Sequence, residues 1–138
     1  MMWRRCYYRM EGIDLMYRTG LRRRLSAMHF FDVPGPEGET HPHPYLVELL
    51  VAGDELDARG YLVDLDAMAA ALESAIGLLE GRVLNELPQF SGTPPSVENL
   101  ARTIWKMAVG RLPPVEWASV TVWEGDDAWA SYGAWIDG

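Results

Sequence analysis

Two stretches of turn-forming residues cut this chain into three pieces, and no long regular element is expected to run through either. Residues 32–44 read DVPGPEGETHPHP and residues 88–96 read PQFSGTPPS. Proline removes a backbone donor and fixes φ, while glycine favours turns, so helices and central strands are predicted to stop at these borders. The pieces between them are short. A chain of 138 residues, 49% of them apolar, can bury one core and not two independent ones.

The middle piece opens with YLVELLVAG, in which Tyr45, Val47, Leu49 and Val51 alternate with a partly polar face. That is the period of a strand with one buried side. Gly53 with Asp54, Glu55 and Asp57 predicts a turn. GYLVDLDAM then resumes an extended pattern and hands over to a helix near Asp64 or Asp66, since either carboxylate can accept the free N–H groups of a helix start. Apolar residues at 68, 72, 75, 76 and 79 have helical spacing, with Gly81 as the stop. Ser96, after Pro94 and Pro95, is the expected N-cap of a second helix running to Gly110. Beyond Pro113 and Pro114, VEWASVTVWEG and WASYGAWI read as two strands joined at Gly125, Asp126 and Asp127. With LRRRLSAMHF as a strand ahead of the first border, the order is strand, strand, helix, helix, strand, strand. This predicts an α+β domain: a four-stranded, mostly antiparallel sheet, ββααββ, with two helices on one face. Unpaired sheet edges favour completion by another subunit, so oligomerisation is expected.

The net charge of −8 is unevenly spread: residues 1–30 hold seven arginines against Glu11 and Asp14, whereas residues 31–138 are strongly acidic. An acidic body argues against nucleic-acid binding. Arg22, Arg23 and Arg24 could meet a phosphorylated ligand, an acidic subunit surface, or water. No export signal or membrane span is visible, which makes a cytoplasmic location the default. Residues 1–20 read as an N-terminal extension and 21–138 as the domain.

One cysteine, Cys6, and three histidines, His29, His41 and His43, limit the available chemistry. Cysteine-rich zinc fingers, iron–sulfur clusters and disulfide scaffolds are excluded. His41 and His43 are two apart, so an extended chain points both imidazoles to one face. An antiparallel partner could bring His29 alongside. Three imidazoles with an open position are the composition of a catalytic zinc site, although histidines beside prolines are also ordinary surface residues.

The runs SAMH at 26–29, HPHPYLVEL at 41–49, ARGYLVDLDAM at 58–68, LNE at 84–86, PPSVENLA at 94–101 and VTVWEG at 120–125 stand in order along the chain. Together they resemble the 6-pyruvoyltetrahydropterin synthase family, which includes the 6-carboxytetrahydropterin synthases of queuosine biosynthesis. The resemblance covers residues 22–133 and implies the T-fold, whose sheets assemble into a β-barrel in homotrimers or homohexamers. It implies Zn2+ held by His29, His41 and His43, and a reduced pterin as substrate. Glu124 falls on the glutamate that grips the pterin's N–H edge, a task for which a carboxylate's paired acceptors suit it. As a bare residue it reads more readily as a solvated turn position. Glu98 falls on a second pocket glutamate, and it can also stabilise the start of its helix.

The chain departs from the family pattern in three places. The catalytic cysteine expected shortly before the paired histidines is replaced by PGPEGET, which offers Glu37 and Glu39 as candidate bases. Cys6 lies too early to substitute. The family's Asp–His pair is replaced by Glu80 and Gly81, and Pro42 stands where glycine usually separates the two ligands. A glutamate for cysteine also resembles the variant group that cleaves the side chain to 6-hydroxymethyl-dihydropterin, but there it stands three residues before the paired histidines, where this chain has Gly38. The leading expectation is a zinc-dependent carbon–oxygen or carbon–carbon lyase acting on 7,8-dihydroneopterin triphosphate or a related reduced pterin. Its catalytic candidates are Glu37, Glu39 and Glu80. The alternatives are that side-chain-cleaving activity and a catalytically lapsed pterin- or zinc-binding protein.

Overall fold

The computed structural model describes residues 16–136, so Cys6 and most of the 1–20 extension lie outside the described residues. Strand β1 (Tyr17–His29) begins inside that stretch and pairs antiparallel with β2 (His41–Gly53). Helices α1 (Leu65–Leu79) and α2 (Val97–Val109) follow, then β3 (Trp117–Glu124) and β4 (Ala128–Trp135). The four strands form one antiparallel sheet in the order β1-β2-β3-β4, which is the expected ββααββ arrangement.

Alternation along the strands decides which face the helices cover. Leu25 and Ala27 on β1, Tyr45, Val47, Leu49 and Val51 on β2, and Val120 and Val122 on β3 are all buried. Their neighbours point outward. The inward face meets Met68, Ala71, Leu72, Ala75 and Leu79 of α1 and Leu100, Ala101, Ile104 and Ala108 of α2. Each large side chain buried here contributes about 1.5–3 kcal/mol from removal of apolar surface. Helix α2 rests on β3 and β4, and the Trp105 indole N–H donates to the Ala118 carbonyl at 2.8 Å.

Local signals set most boundaries. The Asp64 carboxylate accepts from the N–H groups of Asp66 (2.9 Å) and Ala67 (3.3 Å), which resolves the helix start in favour of Asp64. Ser96 Oγ accepts from the Asn99 N–H at 3.2 Å, and Gly81 adopts φ +71° just past the end of α1.

Besides the earlier start of β1, two boundaries differ from the sequence expectation. The extended pattern beginning at Gly60 is not a strand. Asp57 gathers the chain into a turn there, its carboxylate accepting from the N–H groups of Arg59 (2.8 Å) and Tyr61 (2.9 Å). Strand β2 also starts at His41 instead of Tyr45, so it runs through Pro42 and Pro44. Pairing with β3 stops at Tyr45↔Glu124, so over residues 41–44 β2 has a partner on one side only, where proline can be carried.

The other side of β1 is covered near its end. The Gly81 N–H donates to the Ser26 carbonyl (2.7 Å) and the Met28 N–H to the Arg82 carbonyl (2.9 Å). Asn85 closes on Phe30 twice, its Oδ1 accepting the Phe30 N–H and its Nδ2 donating to the Phe30 carbonyl, both at 3.0 Å. Residues 80–85 thus lie along the edge that ends in His29.

Candidate metal centre

Register brings the histidines together. His29 lies directly opposite His41, and His43 is opposite Ala27, so all three imidazoles leave the inward face at one end of the sheet. Ring centroids are 4.3 Å apart for His29 and His43, 4.2 Å for His41 and His43, and 5.0 Å for His29 and His41. One ring nitrogen from each lies within 4.8 Å of the others. Zinc–nitrogen bonds of about 2.0–2.1 Å in a tetrahedral site place imidazole nitrogens about 3.3 Å apart, so modest inward tilting of the rings would close the triad.

The partners of the rings decide which nitrogens face inward. His41 Nδ1 stands 2.6 Å from the Glu39 carbonyl, and His43 Nδ1 stands 3.1 Å from Glu124 Oε1. A carbonyl or carboxylate can only accept, so both rings donate from Nδ1 and present Nε2 as a lone pair. His43 Nε2 is buried with no hydrogen-bond partner among the described residues. A buried acceptor without a donor is costly in a finished protein interior and natural at a metal-binding position. His29, only 1% exposed, has its Nδ1 2.8 Å from the Tyr45 hydroxyl. Burial, and after it the negative charge of Glu124, raises the Tyr45 pKa far above its ordinary value, so the hydroxyl keeps its proton. The donor set and its orienting partners fit a divalent metal such as zinc.

The remaining candidates sit at different distances from this cluster. Glu124, opposite Tyr45 on β3, joins it through His43. Glu39 reaches it through its backbone carbonyl, while its side chain is exposed. Glu37 lies in the short turn Pro36–Gly38, and its side chain is outside the described residues. The Glu80 carboxylate accepts from the Ser26 N–H at 3.0 Å, at the covered edge of β1. Glu98 is exposed in the first turn of α2. Arg22 pairs with Glu48 (2.9 Å) on the outward face and Arg23 with Glu73 of α1 (3.2 Å), so neither is turned to the histidines. At Gly38 a Cβ would run into the Val33 carbonyl oxygen, so this backbone has no room for a glutamate at that position.

Tyr45 was expected only as a buried strand residue and Asn85 only as part of the LNE run, neither with a part in the site. Tyr45 was detectable, being two residues beyond His43 and so on the same strand face. Asn85 sits in a turn with no periodicity to reveal it.

A sheet of this topology with both helices on one face, and a histidine cluster where β1 and β2 meet at their ends, defines a T-fold protein with a candidate metal centre. The chain belongs to the 6-pyruvoyl tetrahydropterin synthase family, whose profile matches residues 20–134. It is 32% identical over 98 residues to the 6-carboxy-5,6,7,8-tetrahydropterin synthase of Bacillus subtilis. That match covers 67% of this chain and 65% of the relative's length. The fold is similar to Caenorhabditis elegans 6-pyruvoyl tetrahydropterin synthase, with a TM-score of 0.74 at 16% identity over 86% of this chain and 96% of the other. It is also similar to a Plasmodium vivax 6-pyruvoyltetrahydropterin synthase in which a catalytic glutamate is replaced by alanine. There the TM-score is 0.72 at 15% identity, covering 88% of this chain and 99% of the other. No described helix is long and apolar enough to cross a membrane.

Proposed function

We propose that this protein is a zinc-dependent pterin lyase acting on 7,8-dihydroneopterin triphosphate or a related reduced pterin. The observation that carries the reading is the convergence of His29, His41 and His43, with Glu124 in hydrogen-bond reach of the same cluster. Zinc held by those imidazoles would polarise a substrate hydroxyl and lower its pKa. Glu124 spends one oxygen on His43 and keeps acceptor capacity for the N–H edge of a pterin ring. Glu98 supports the pocket from the start of α2. Glu37 or Glu39 is the candidate to take the substrate proton in place of the absent thiol, Glu39 only if its exposed carboxylate turns toward the cluster that its carbonyl reaches. A glutamate is the catalytic residue named for the Plasmodium vivax relative, which supports a carboxylate in that role. Glu80, tied to the Ser26 N–H, serves by holding the edge of β1. Strand β4 and the part of β1 that residues 80–85 leave uncovered are the edges through which a homotrimer or homohexamer would assemble, in the cytoplasm.

The blocked Cβ position at Gly38 weighs against the side-chain-cleaving variant with its glutamate at that spacing. A binding protein without turnover is the second reading. It is favoured by Gly81, which stands where the family's histidine would be and instead donates its N–H to the Ser26 carbonyl.

Incubation of zinc-loaded protein with dihydroneopterin triphosphate, followed by mass analysis, tests the proposal. The expected products have the mass of a 6-pyruvoyl or 6-carboxy tetrahydropterin. Substrate returned unchanged, with binding that is lost in Glu124→Ala, would overturn the lyase reading in favour of a binding protein.

A further inference from the structure

The three imidazoles differ in what holds them. His41 and His43 face acceptors that leave no choice of tautomer, a backbone carbonyl and a carboxylate. His29 faces a hydroxyl, which can either donate or accept. The Tyr45 ring that carries this hydroxyl is buried at 3% exposure among the core side chains of β2, and its centroid lies 5.9 Å from that of His43. Burial holds the hydroxyl in place, and its position 2.8 Å from His29 Nδ1 restrains rotation of the His29 ring. With Nδ1 held toward Tyr45, the opposite nitrogen, Nε2, is the one available to the other two rings.

We propose that Tyr45 is the positioning residue of the metal centre, its hydroxyl accepting the His29 Nδ1–H so that Nε2 is the ligand atom. The proposal rests on the reading of the histidine triad as a metal site and extends it to a residue outside that triad. A hydroxyl suits the one ring that is almost wholly buried, because it can pair with Nδ1 in either tautomer of His29. Phenylalanine at 45 would keep the packing and remove only this control.

The test compares wild type, Tyr45→Phe and, as a remote control, Tyr132→Phe, measuring zinc affinity by chelator competition and the visible spectrum of the cobalt-substituted protein. Loss of an orienting partner of this kind lowers metal affinity about 10- to 100-fold. That loss is expected in Tyr45→Phe, with a shifted cobalt spectrum, while Tyr132→Phe matches wild type. A tyrosine with a merely structural role would lower the stability of the metal-free protein and leave affinity and spectrum in place, which would overturn the proposal. Nitrogen–proton correlation of the imidazoles in zinc-loaded wild type gives a reading independent of any variant. It is expected to show His29 protonated at Nδ1 and coordinated through Nε2, and coordination through Nδ1 would overturn the proposal. Wild type that binds neither zinc nor cobalt would overturn the metal site itself, an outcome distinct from unchanged affinity in Tyr45→Phe.

Discussion

Replacing Asn85 by alanine removes the clamp that fixes the chain immediately after His29. Two hydrogen bonds are lost, both at 3.0 Å and both to the backbone of Phe30. Each such bond is worth about 1 kcal/mol net, and a donor left without a partner costs more where water cannot reach it. Asn85 is half-buried, so water can reach part of the site, and the expected destabilisation is about 2–3 kcal/mol. For a domain of this size that corresponds to a fall in melting temperature of about 8–12 °C. Urea unfolding followed by tryptophan fluorescence, at one fixed protein concentration and without metal, measures it directly. Gln89→Ala, at an exposed position in the following turn, is the control and should stay within about 0.5 kcal/mol of wild type. If Asn85→Ala unfolds like Gln89→Ala, residues 80–85 do not anchor the edge of β1, and the account of how His29 is held fails with them.

Two further outcomes follow from local structure. Asp64→Ala removes the acceptor for two N–H groups at the start of α1 and should cost about 1 kcal/mol in urea unfolding, whereas Asp64→Ser, which retains a capping oxygen, should cost much less. The folded Tyr45 holds its proton to higher pH than in the unfolded chain, where it ionises near pH ~10, so its contribution to stability is complete below that pH and lost as pH rises above it. Stability measured from about pH 9 to about pH 11 should fall less steeply in Tyr45→Phe than in wild type; identical slopes would show that Tyr45 is not protected by burial.

Much of this architecture could be read from residue order because its signals are local. Ser96 after paired prolines, Asp64 before an apolar helical repeat, and glycine with two aspartates between alternating strands each act within a few residues. The histidine cluster was legible for the same reason on β2, where spacing alone sets the shared face of His41 and His43. Opposition of His29 to His41 required the β1–β2 register, which the turn-rich stretch between them conceals. Pro42 and Pro44 look like loop residues until β3 is seen to end at Glu124, leaving one side of β2 without a ladder. The cover over β1 is built mainly from backbone groups of Ser26, Met28, Gly81 and Arg82, which carry no side-chain pattern at all. The roles of Glu37, Glu39 and Glu80 divide for a physical reason as well: a sequence position near a ligand does not say whether a residue's carboxylate or its carbonyl reaches the site. In Glu39 it is the carbonyl that does.

The proposed chemistry depends on the three histidines forming one metal site. Metal analysis of protein loaded with zinc and then desalted tests it most directly, with His29→Ala, His41→Ala and His43→Ala measured alongside and their folding checked by circular dichroism. About one zinc per chain is expected in wild type, the stoichiometry of a single four-coordinate site, and almost none in each variant. Wild type that retains no zinc, or histidine variants that retain as much as wild type, would contradict it.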